Sequence, residues 1–239
     1  SSTSRGLGDV YKRQRFSVAR GLSSSDAAKL RGALGDYLLR GGYMATLDLP
    51  ASDGMMLMQE YAYRTVAMDV VERYNLRTPQ IAASFLNRCI ASSGRELSVN
   101  KVVNEYKSRG ASTSRETLSN LLSYYEEAYL VFSLGDLSRS LADNPRSSSK
   151  VYAVDPGMFT AFSRAASKEQ GQRLETAVFN KLRRVAPQAR SGSLARLTFE
   201  HEGSLHEVDF VMGDALLGDM FELCLLYTSP SPRDVEESR

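Results

Sequence analysis

Three short amphipathic segments between residues 78 and 128 constrain the fold more than any other feature of this sequence. The first begins at Pro79, a residue that suits a helix start, and continues with apolar residues at helical spacing. Ser98 is a candidate N-cap for the second segment, and Ser112 or Ser114 is a candidate N-cap for the third. We therefore predict three consecutive short helices here.

Two strand-like runs follow these helices. Residues 129–134 read Tyr-Leu-Val-Phe-Ser-Leu and residues 150–154 read Lys-Val-Tyr-Ala-Val, with a polar stretch at 142–149 between them. Three helices followed by a hairpin with a polar tip form the winged-helix pattern, whose third helix is the one that enters a DNA groove. We assign residues 78–165 to a winged-helix-like domain.

Helical sequence precedes this domain. Residues 26–39 and 55–74 carry apolar residues at three-four spacing, and Gly41-Gly42 is expected to stop the first of these helices. We assign residues 15–77 to a helical segment.

The segment after residue 165 mixes both periodicities. Residues 166–184 predict a helix, and alternating apolar residues predict strands at 196–200 and 205–212, with the start of another strand at 220–223. The expected fold class is α+β: mainly helical with a winged-helix domain, followed by a truncated α/β unit at 166–223.

The composition excludes some classes of protein. The 239 residues are 42% hydrophobic and 24% charged, which is ordinary for a globular chain. No apolar run approaches the roughly 20 residues that a membrane helix needs, so we expect a cytoplasmic protein without a membrane partner. The net charge of +2 gives no global electrostatic attraction for nucleic acid.

The two ends of the chain can encode each other's antisense strand. Codons for residues 4–14 can be chosen whose reverse complement, read one base in, encodes residues 224–233 in order. That DNA is similar to a transposase-type sequencing adapter. We expect residues 1–14 and 224–239 to be adapter-derived, and we exclude them from fold reasoning.

Several short pieces between these ends matter together, by their order and spacing. The pieces are residues 37–43, 69–74, 98–101, Thr117 with 124–129, 150–157, 171–175 and 207–211. Together they resemble the domain of unknown function 4143 family, found C-terminal to an AAA-type ATPase in many bacterial and archaeal proteins. Met44 stands where the family usually has a proline.

The resemblance implies a missing ATPase domain on the N-terminal side. A phosphate-binding loop needs a Gly-Lys pair, and the sequence contains none. We therefore expect a non-ATPase C-terminal fragment that holds no cofactor itself, with ATP and Mg²⁺ belonging to the intact parent.

The resemblance also implies a restriction-endonuclease-like unit at 166–223. Such nucleases hold a divalent cation with an Asp on one strand and a Glu on the next, often joined by a Glu from a helix. Glu175, Asp209 and Glu222 occupy these catalytic positions, with Asp209 and Glu222 as metal ligands. The assisting Lys position is Cys224, inside the suspected adapter. The alternative is that these acids are surface or structural residues.

A second candidate site surrounds the third predicted helix. Hydroxyl groups at a helix start and nearby cations suit phosphate contacts. However, residues 88–127 hold six basic and five acidic residues, which is not a basic stripe. The candidate DNA-binding residues are Lys101, Lys107, Arg109, Ser112, Ser114 and Arg115.

Three functions follow as expectations. The first is a DNA-associated regulatory or binding module with duplex DNA as partner. The second is a protein-interaction module that docks the ATPase domain or another protein, indicated by the Met-rich helix at 55–74. The third is a metal-dependent nuclease in the intact parent.

Overall fold

The computed structural model describes residues 23–137, 149–163, 170–185, 194–201, 204–213 and 222–224. It is an α+β fold with two small antiparallel sheets, which confirms the expected class. The helices are α1 (Ser24–Arg40), α2 (Ala51–Thr65), α3 (Pro79–Ala91), α4 (Val99–Ser108), α5 (Arg115–Glu127), α6 (Pro156–Phe162) and α7 (Gln170–Val185). The strands are β1 (Arg95–Leu97), β2 (Val131–Leu134), β3 (Ser149–Ala153), β4 (Leu194–His201), β5 (Ser204–Met212) and β6 (Glu222–Cys224).

The chain divides into two units, Ser1–Tyr37 and Leu38–Arg239. In the first unit, the described residues form most of α1, which starts where the Ser23 hydroxyl accepts a hydrogen bond from the Asp26 amide at 3.1 Å. No residue of α1 is buried, and Leu30 and Leu34 lie on its exposed surface. The amphipathic pattern predicts this helix correctly, but the helix buries none of its apolar residues.

In the second unit, α2 and the three helices after it share one apolar core. Met58 and Ala62 of α2 pack in it, and Val66 and Val70 follow one and two turns later, where α2 continues as a π-helix over Val66–Glu72. The π-helix accommodates the apolar stripe of the predicted helix at 55–74 without breaking it. Phe85 is one of the fully buried residues of α3 in the same core.

The first sheet has the strand order β1-β3-β2, and both pairings are antiparallel. The central strand β3 is buried on both faces: Val151 and Ala153 join the helical core, whereas Tyr152 packs against Phe179 of α7. Alternation of side chains along a strand explains this division. The sequence predicts β2 and β3 but not β1, because three residues are too few for a recognisable alternation.

The second sheet is a meander in the order β4-β5-β6. Its register shifts between Ala195 and Leu197, where β4 also contacts the residue after β2: the Arg196 amide donates to the Gly135 carbonyl at 3.0 Å. The strand and helix predictions for this part are confirmed to within a few residues. Residues 202–203, between β4 and β5, and most of the polar stretch at 142–149 lie outside the described residues.

A turn after α1 fixes α6. Gly41 has a φ of +77°, and a Cβ there would lie 1.8 Å from an oxygen of Asp155. Asp155 caps α6 by accepting the Gly157 amide at 2.7 Å, and it also accepts the Gly42 amide at 2.9 Å. Gly41 is therefore needed for this close approach, whereas the Gly41-Gly42 pair was expected only to stop the helix. The sequence pattern did not predict α6.

Within the described part of the chain, no helix is long and apolar enough to cross a membrane.

Candidate functional site

The six candidate DNA-binding residues all lie on α4, on α5 or in the turn between them, and all six are exposed. Local capping fixes both helices. The Ser98 hydroxyl accepts the Lys101 amide at 3.4 Å, and the Ser114 hydroxyl accepts the Thr117 amide at 3.0 Å. Ser114 rather than Ser112 therefore caps α5, and Ser112 lies in the turn.

The four cations of this set differ in their surroundings. Arg109 forms an ion pair with Glu105 on α4 at 2.8 Å. Among the described residues, no carboxylate lies within ion-pair distance of Lys101 or Lys107, so their charges are available to a ligand. Arg115, the first residue of α5, already interacts within the chain.

The middle of the outward surface of α5 is uncharged and polar. Leu118, Leu121 and Tyr125 are buried, and the Tyr125 hydroxyl donates to the Ala82 carbonyl at 2.5 Å. The exposed positions along the helix are Arg115, Glu116, Ser119, Asn120, Ser123 and Glu127. The amide and hydroxyl groups in the middle of this surface can donate and accept hydrogen bonds, with one arginine and two glutamates towards its ends.

The acidic candidates form a different arrangement around Lys150 of β3. Its ammonium nitrogen Nζ lies 3.0 Å from Glu175 Oε1, 2.8 Å from Glu207 Oε1 and 2.9 Å from Asp209 Oδ1. The Tyr152 hydroxyl also donates to Glu175, at 2.8 Å. Helix α7 and strand β5 thus bring Glu175 and Asp209 together, on a cation from the first sheet. We call Lys150, Glu175, Glu207 and Asp209 the Lys150 cluster.

Burial and charge act against each other in this cluster. Burial lowers the pKa of Lys150, but the hydrogen bond and charges of Glu207, Glu175 and Asp209 outweigh it and raise that pKa above its ordinary value. Burial raises the pKa of Glu175, and the Lys150 ammonium and the Tyr152 hydroxyl offset this only in part. Lys150 is therefore held charged, with three carboxylates around a single ammonium.

Arg196 of β4 extends the cluster towards the first sheet. It is 2% exposed and pairs with Glu96 of β1, and its Nη1 lies 3.5 Å from Glu207 Oε1. Its Nε lies 3.7 Å from Asp136, whose carboxylate accepts the Thr198 hydroxyl at 2.5 Å. Ionic contacts thus join β1, Asp136 beyond the end of β2, β4 and β5.

The third acidic candidate, Glu222, is described only through its backbone. The register pairs Glu222 with Met212, and Asp209 lies three residues earlier on β5. Because residues alternate between the faces of a strand, positions 209 and 212 belong to opposite faces. Glu222 is therefore not in register with Asp209.

Two of the three acidic candidates are paired with a lysine. Glu175 and Asp209 each direct an oxygen to the Lys150 ammonium. No group of three or more His, Cys, Asp or Glu among the described residues is placed to hold a metal ion, and the side chain of Glu222 lies outside the described part of the chain.

Sequence reasoning missed the cations of the cluster and the role of Glu207. Lys150 opens an otherwise apolar strand sequence, and a lysine next to a buried strand is a signal that could have been used, because a buried lysine needs partners. Nothing in the pattern around Arg196 marks it as buried, since its partners come from β1, from β5 and from Asp136 beyond the end of β2.

Comparison with known proteins finds one family match and one relative for this chain. No solved structure matches the chain. An uncharacterized protein from the archaeon Methanocaldococcus jannaschii is 33% identical over 177 residues, which is 74% of this chain. The matched part is 39% of that relative's length.

A family match covers residues 31–169, more than half of the chain. This range contains α2 to α6 and the first sheet, including Lys150 and the six candidate DNA-binding residues. It ends before α7, so Glu175, Asp209 and Glu222 lie outside it. The chain belongs to the family described as the domain of unknown function DUF8612.

Proposed function

We propose that residues 78–165 form a winged-helix-type module and that the chain binds duplex DNA through α5. The observation that carries this proposal is the element order α3-β1-α4-α5-β2-β3 with the sheet order β1-β3-β2. In this order α4, the turn and α5 form a helix-turn-helix, whose second helix is the one that enters a major groove. All of these elements lie within the family match.

The chemistry of α5 supports the same function. Asn120 is exposed in the middle of the helix, and an asparagine amide can form two hydrogen bonds with adenine in the major groove. Ser119 and Ser123 flank it and suit phosphate or base contacts. Lys101 and Lys107 supply charge without a carboxylate partner among the described residues.

The charge balance predicts weak and only moderately salt-dependent binding. Glu116 and Glu127 on the exposed surface of α5 repel phosphates and reduce the contribution of the lysines. Each lysine that neutralises a phosphate contributes about −0.9 to the slope of log K against log salt. Two such contacts give a slope of about −2.

The test is fluorescence anisotropy with labelled duplex DNA across a salt series. The double variant Lys101→Ala/Lys107→Ala should flatten the slope by about 2. The control Arg64→Ala removes an exposed cation from α2 and should leave the slope unchanged. Absence of binding by the wild-type chain even at low salt would refute the DNA function.

We further propose that the chain is the non-ATPase part of an AAA-type ATP-binding protein. The resemblance of its sequence pieces to such proteins supports this, and the longer archaeal relative has room for a further domain. The genomic reading frame that contains residues 15–223 should encode a phosphate-binding loop upstream. A complete frame without such a loop would remove the proposal.

The metal-dependent nuclease remains a second candidate for one reason. The resemblance assigns Glu175 and Asp209 to catalysis, and both carboxylates contact the same atom, the ammonium nitrogen of Lys150. Two observations argue against it. Both carboxylates are paired with Lys150, and Glu222 is in register with Met212 and not with Asp209. The intact protein should be incubated with plasmid DNA and Mg²⁺ or Mn²⁺. Cleavage lost in Asp209→Asn but kept in Glu200→Gln, an exposed acid on β4, would support the nuclease.

A protein-interaction module is the third candidate, and the exposed apolar surface of α2 favours it. Met56 of α2 is 68% exposed, and Met68 of the π-helix that continues α2 is 54% exposed. A pull-down from lysate that retains nucleic acid but no protein would count against this function.

A further inference from the structure

An open groove of about 570 Å³ runs along most of α2. Its apolar lining consists of Leu49, Met56, Leu57 and Tyr63, and its acidic lining consists of Asp53 and Glu60. Asp53 and Glu60 are separated by two helical turns, as are Met56 and Tyr63. An apolar row and an acidic row therefore run side by side for about 15 Å of helix.

The walls of the groove are held in place by the fold. The Arg40 guanidinium donates to the Leu49 carbonyl at 2.5 Å and fixes the loop before α2. The Gln59 amide donates to the Ala161 carbonyl at 2.5 Å, which ties the middle of the groove to α6. A groove whose walls are fixed before binding loses little entropy when a ligand enters.

The aromatic ring of Tyr63 lines the far end of the groove and is held in place by two contacts. The Tyr63 hydroxyl donates to Asn87 Oδ1 at 3.0 Å, and its ring contacts the edge of Phe162 at a centroid distance of 5.5 Å. Tyr63 is nevertheless 40% exposed. An aromatic ring held at the edge of an apolar groove is the kind of residue that anchors a partner.

The charge of the groove determines what can occupy it. The residues that line it include two carboxylates and no lysine or arginine among those described. Anionic ligands such as nucleic acid or an acidic lipid surface are repelled by this lining. A ligand with cationic groups next to an apolar surface is attracted by both rows.

A second copy of this chain is a poor match for this surface. A partner helix would need two basic residues spaced as Asp53 and Glu60 are, with apolar residues beside them. None of the described helices carries two basic residues at that spacing; Lys29 of α1, for example, is followed at that distance by Asp36. Among the described helices, none therefore matches the charge spacing of the groove.

We propose that this groove binds a basic amphipathic helix of a partner protein. Apolar side chains of the partner lie on Met56 and Tyr63, and two lysines or arginines, two turns apart, pair with Asp53 and Glu60. The inference rests on the protein-interaction function and gives it a partner class. It involves none of the α5 residues proposed for DNA binding.

The test uses the full chain and a labelled synthetic peptide of about 14 residues, or about 20 Å of helix. The peptide carries two lysines spaced as Asp53 and Glu60 are, with leucines alongside. A second peptide has glutamates in place of the lysines. Anisotropy should show binding of the lysine peptide, weakened by salt, and about tenfold weaker binding of the glutamate peptide.

Variants locate the binding site. Asp53→Lys/Glu60→Lys should lose about tenfold for the lysine peptide and gain affinity for the glutamate peptide. Met56→Ser should lose about tenfold for both. Glu72→Lys reverses an exposed charge beyond the groove and is the matched control. Circular dichroism of each variant, compared with wild type, checks that it is folded.

Three outcomes would overturn the proposal. One is absence of lysine-peptide binding by the folded wild-type chain. Another is equal binding by wild type and Asp53→Lys/Glu60→Lys. The third is concentration-dependent dimerisation, in sedimentation equilibrium, that Met56→Ser abolishes, because a second copy would then cover the groove. If wild type and Met56→Ser retained a protein partner equally, the groove would not be the binding site, although the protein-interaction function itself would stand.

Discussion

The helical core and the Lys150 cluster are adjacent regions stabilised by different forces. In the helical core, side chains such as Phe85, Leu86 and Leu118 are fully buried among apolar neighbours. Next to it, the Lys150 cluster buries Lys150 and Glu175 beside the ring of Tyr152. The first region gains free energy from removing apolar surface from water, whereas the second must offset the cost of removing charges from water.

Strand β3 separates the two regions and belongs to both. Val151 faces the helical core, and its neighbours Lys150 and Tyr152 face α7 and β5. A single-residue shift of β3 would place a lysine in the apolar core. The ionic partners of Lys150 therefore help to fix the register of the strand that the apolar core needs.

The largest expected effect belongs to the apolar region. Phe85→Ala removes a fully buried ring that lies 6.0 Å from the ring of Tyr125, and it should lower the free energy of unfolding by about 4 kcal/mol. Since no charge is involved, the loss should be nearly the same at pH 5 and pH 8. Urea unfolding followed by circular dichroism measures it, and a strongly pH-dependent loss would show that the two regions are not independent.

Lys150→Met should have the next largest effect and a different pH dependence. It leaves three carboxylates without their shared cation, and about 3 kcal/mol should be lost at neutral pH. The pKa of Lys150 is raised in the folded protein. The charge of Lys150 therefore contributes fully to the free energy of unfolding below the ordinary pKa of 10.5, and this contribution disappears as pH rises through the raised pKa. The deficit of the variant should therefore shrink in strong alkali.

The same deficit should shrink in acid. Burial raises the pKa of Glu175, so this carboxyl loses its charge earlier than an ordinary glutamate as pH falls. Unfolding experiments between pH 4 and pH 8 test this, with Lys101→Met as the matched control for loss of an exposed lysine. A deficit independent of pH would mean that packing of the lysine stem, not its charge, stabilises the region.

Much of the apolar region could be predicted from the sequence. Apolar spacing predicts α3 and α5 because their buried residues recur at helical intervals, and Ser98 and Ser114 mark two helix starts. The Lys150 cluster could not be predicted in this way. Its members come from β3, α7 and β5, and no local pattern records that three distant segments meet.

Glu175→Gln tests how much one of the three carboxylates around Lys150 contributes to stability. The glutamine oxygen can still accept the Tyr152 hydroxyl, and Lys150 keeps two carboxylates. The substitution removes an ion pair, but it also removes a buried charge, whose cost is shown by the raised pKa of Glu175. Because these two changes oppose each other, the free energy of unfolding at pH 7 should fall by only about 1 kcal/mol. A loss as large as that of Lys150→Met, measured by urea unfolding, would show that Glu175 is the main partner of the lysine.

The substitutions with the smallest expected effects test whether two serines at the start of α5 serve folding or DNA binding. Ser114→Ala removes the acceptor for the Thr117 amide at the start of α5 and should cost about 1 kcal/mol, with no dependence on pH. Ser112→Ala, in the preceding turn, should cost less, because Ser112 does not cap the helix. If α5 binds DNA, the order should reverse in an anisotropy titration, since the hydroxyl of Ser114 is already engaged with Thr117, whereas no hydrogen bond among the described residues engages the hydroxyl of Ser112. Equal losses of stability and of DNA affinity in both variants would contradict this division, and they would place both serines in one role, that of shaping the turn.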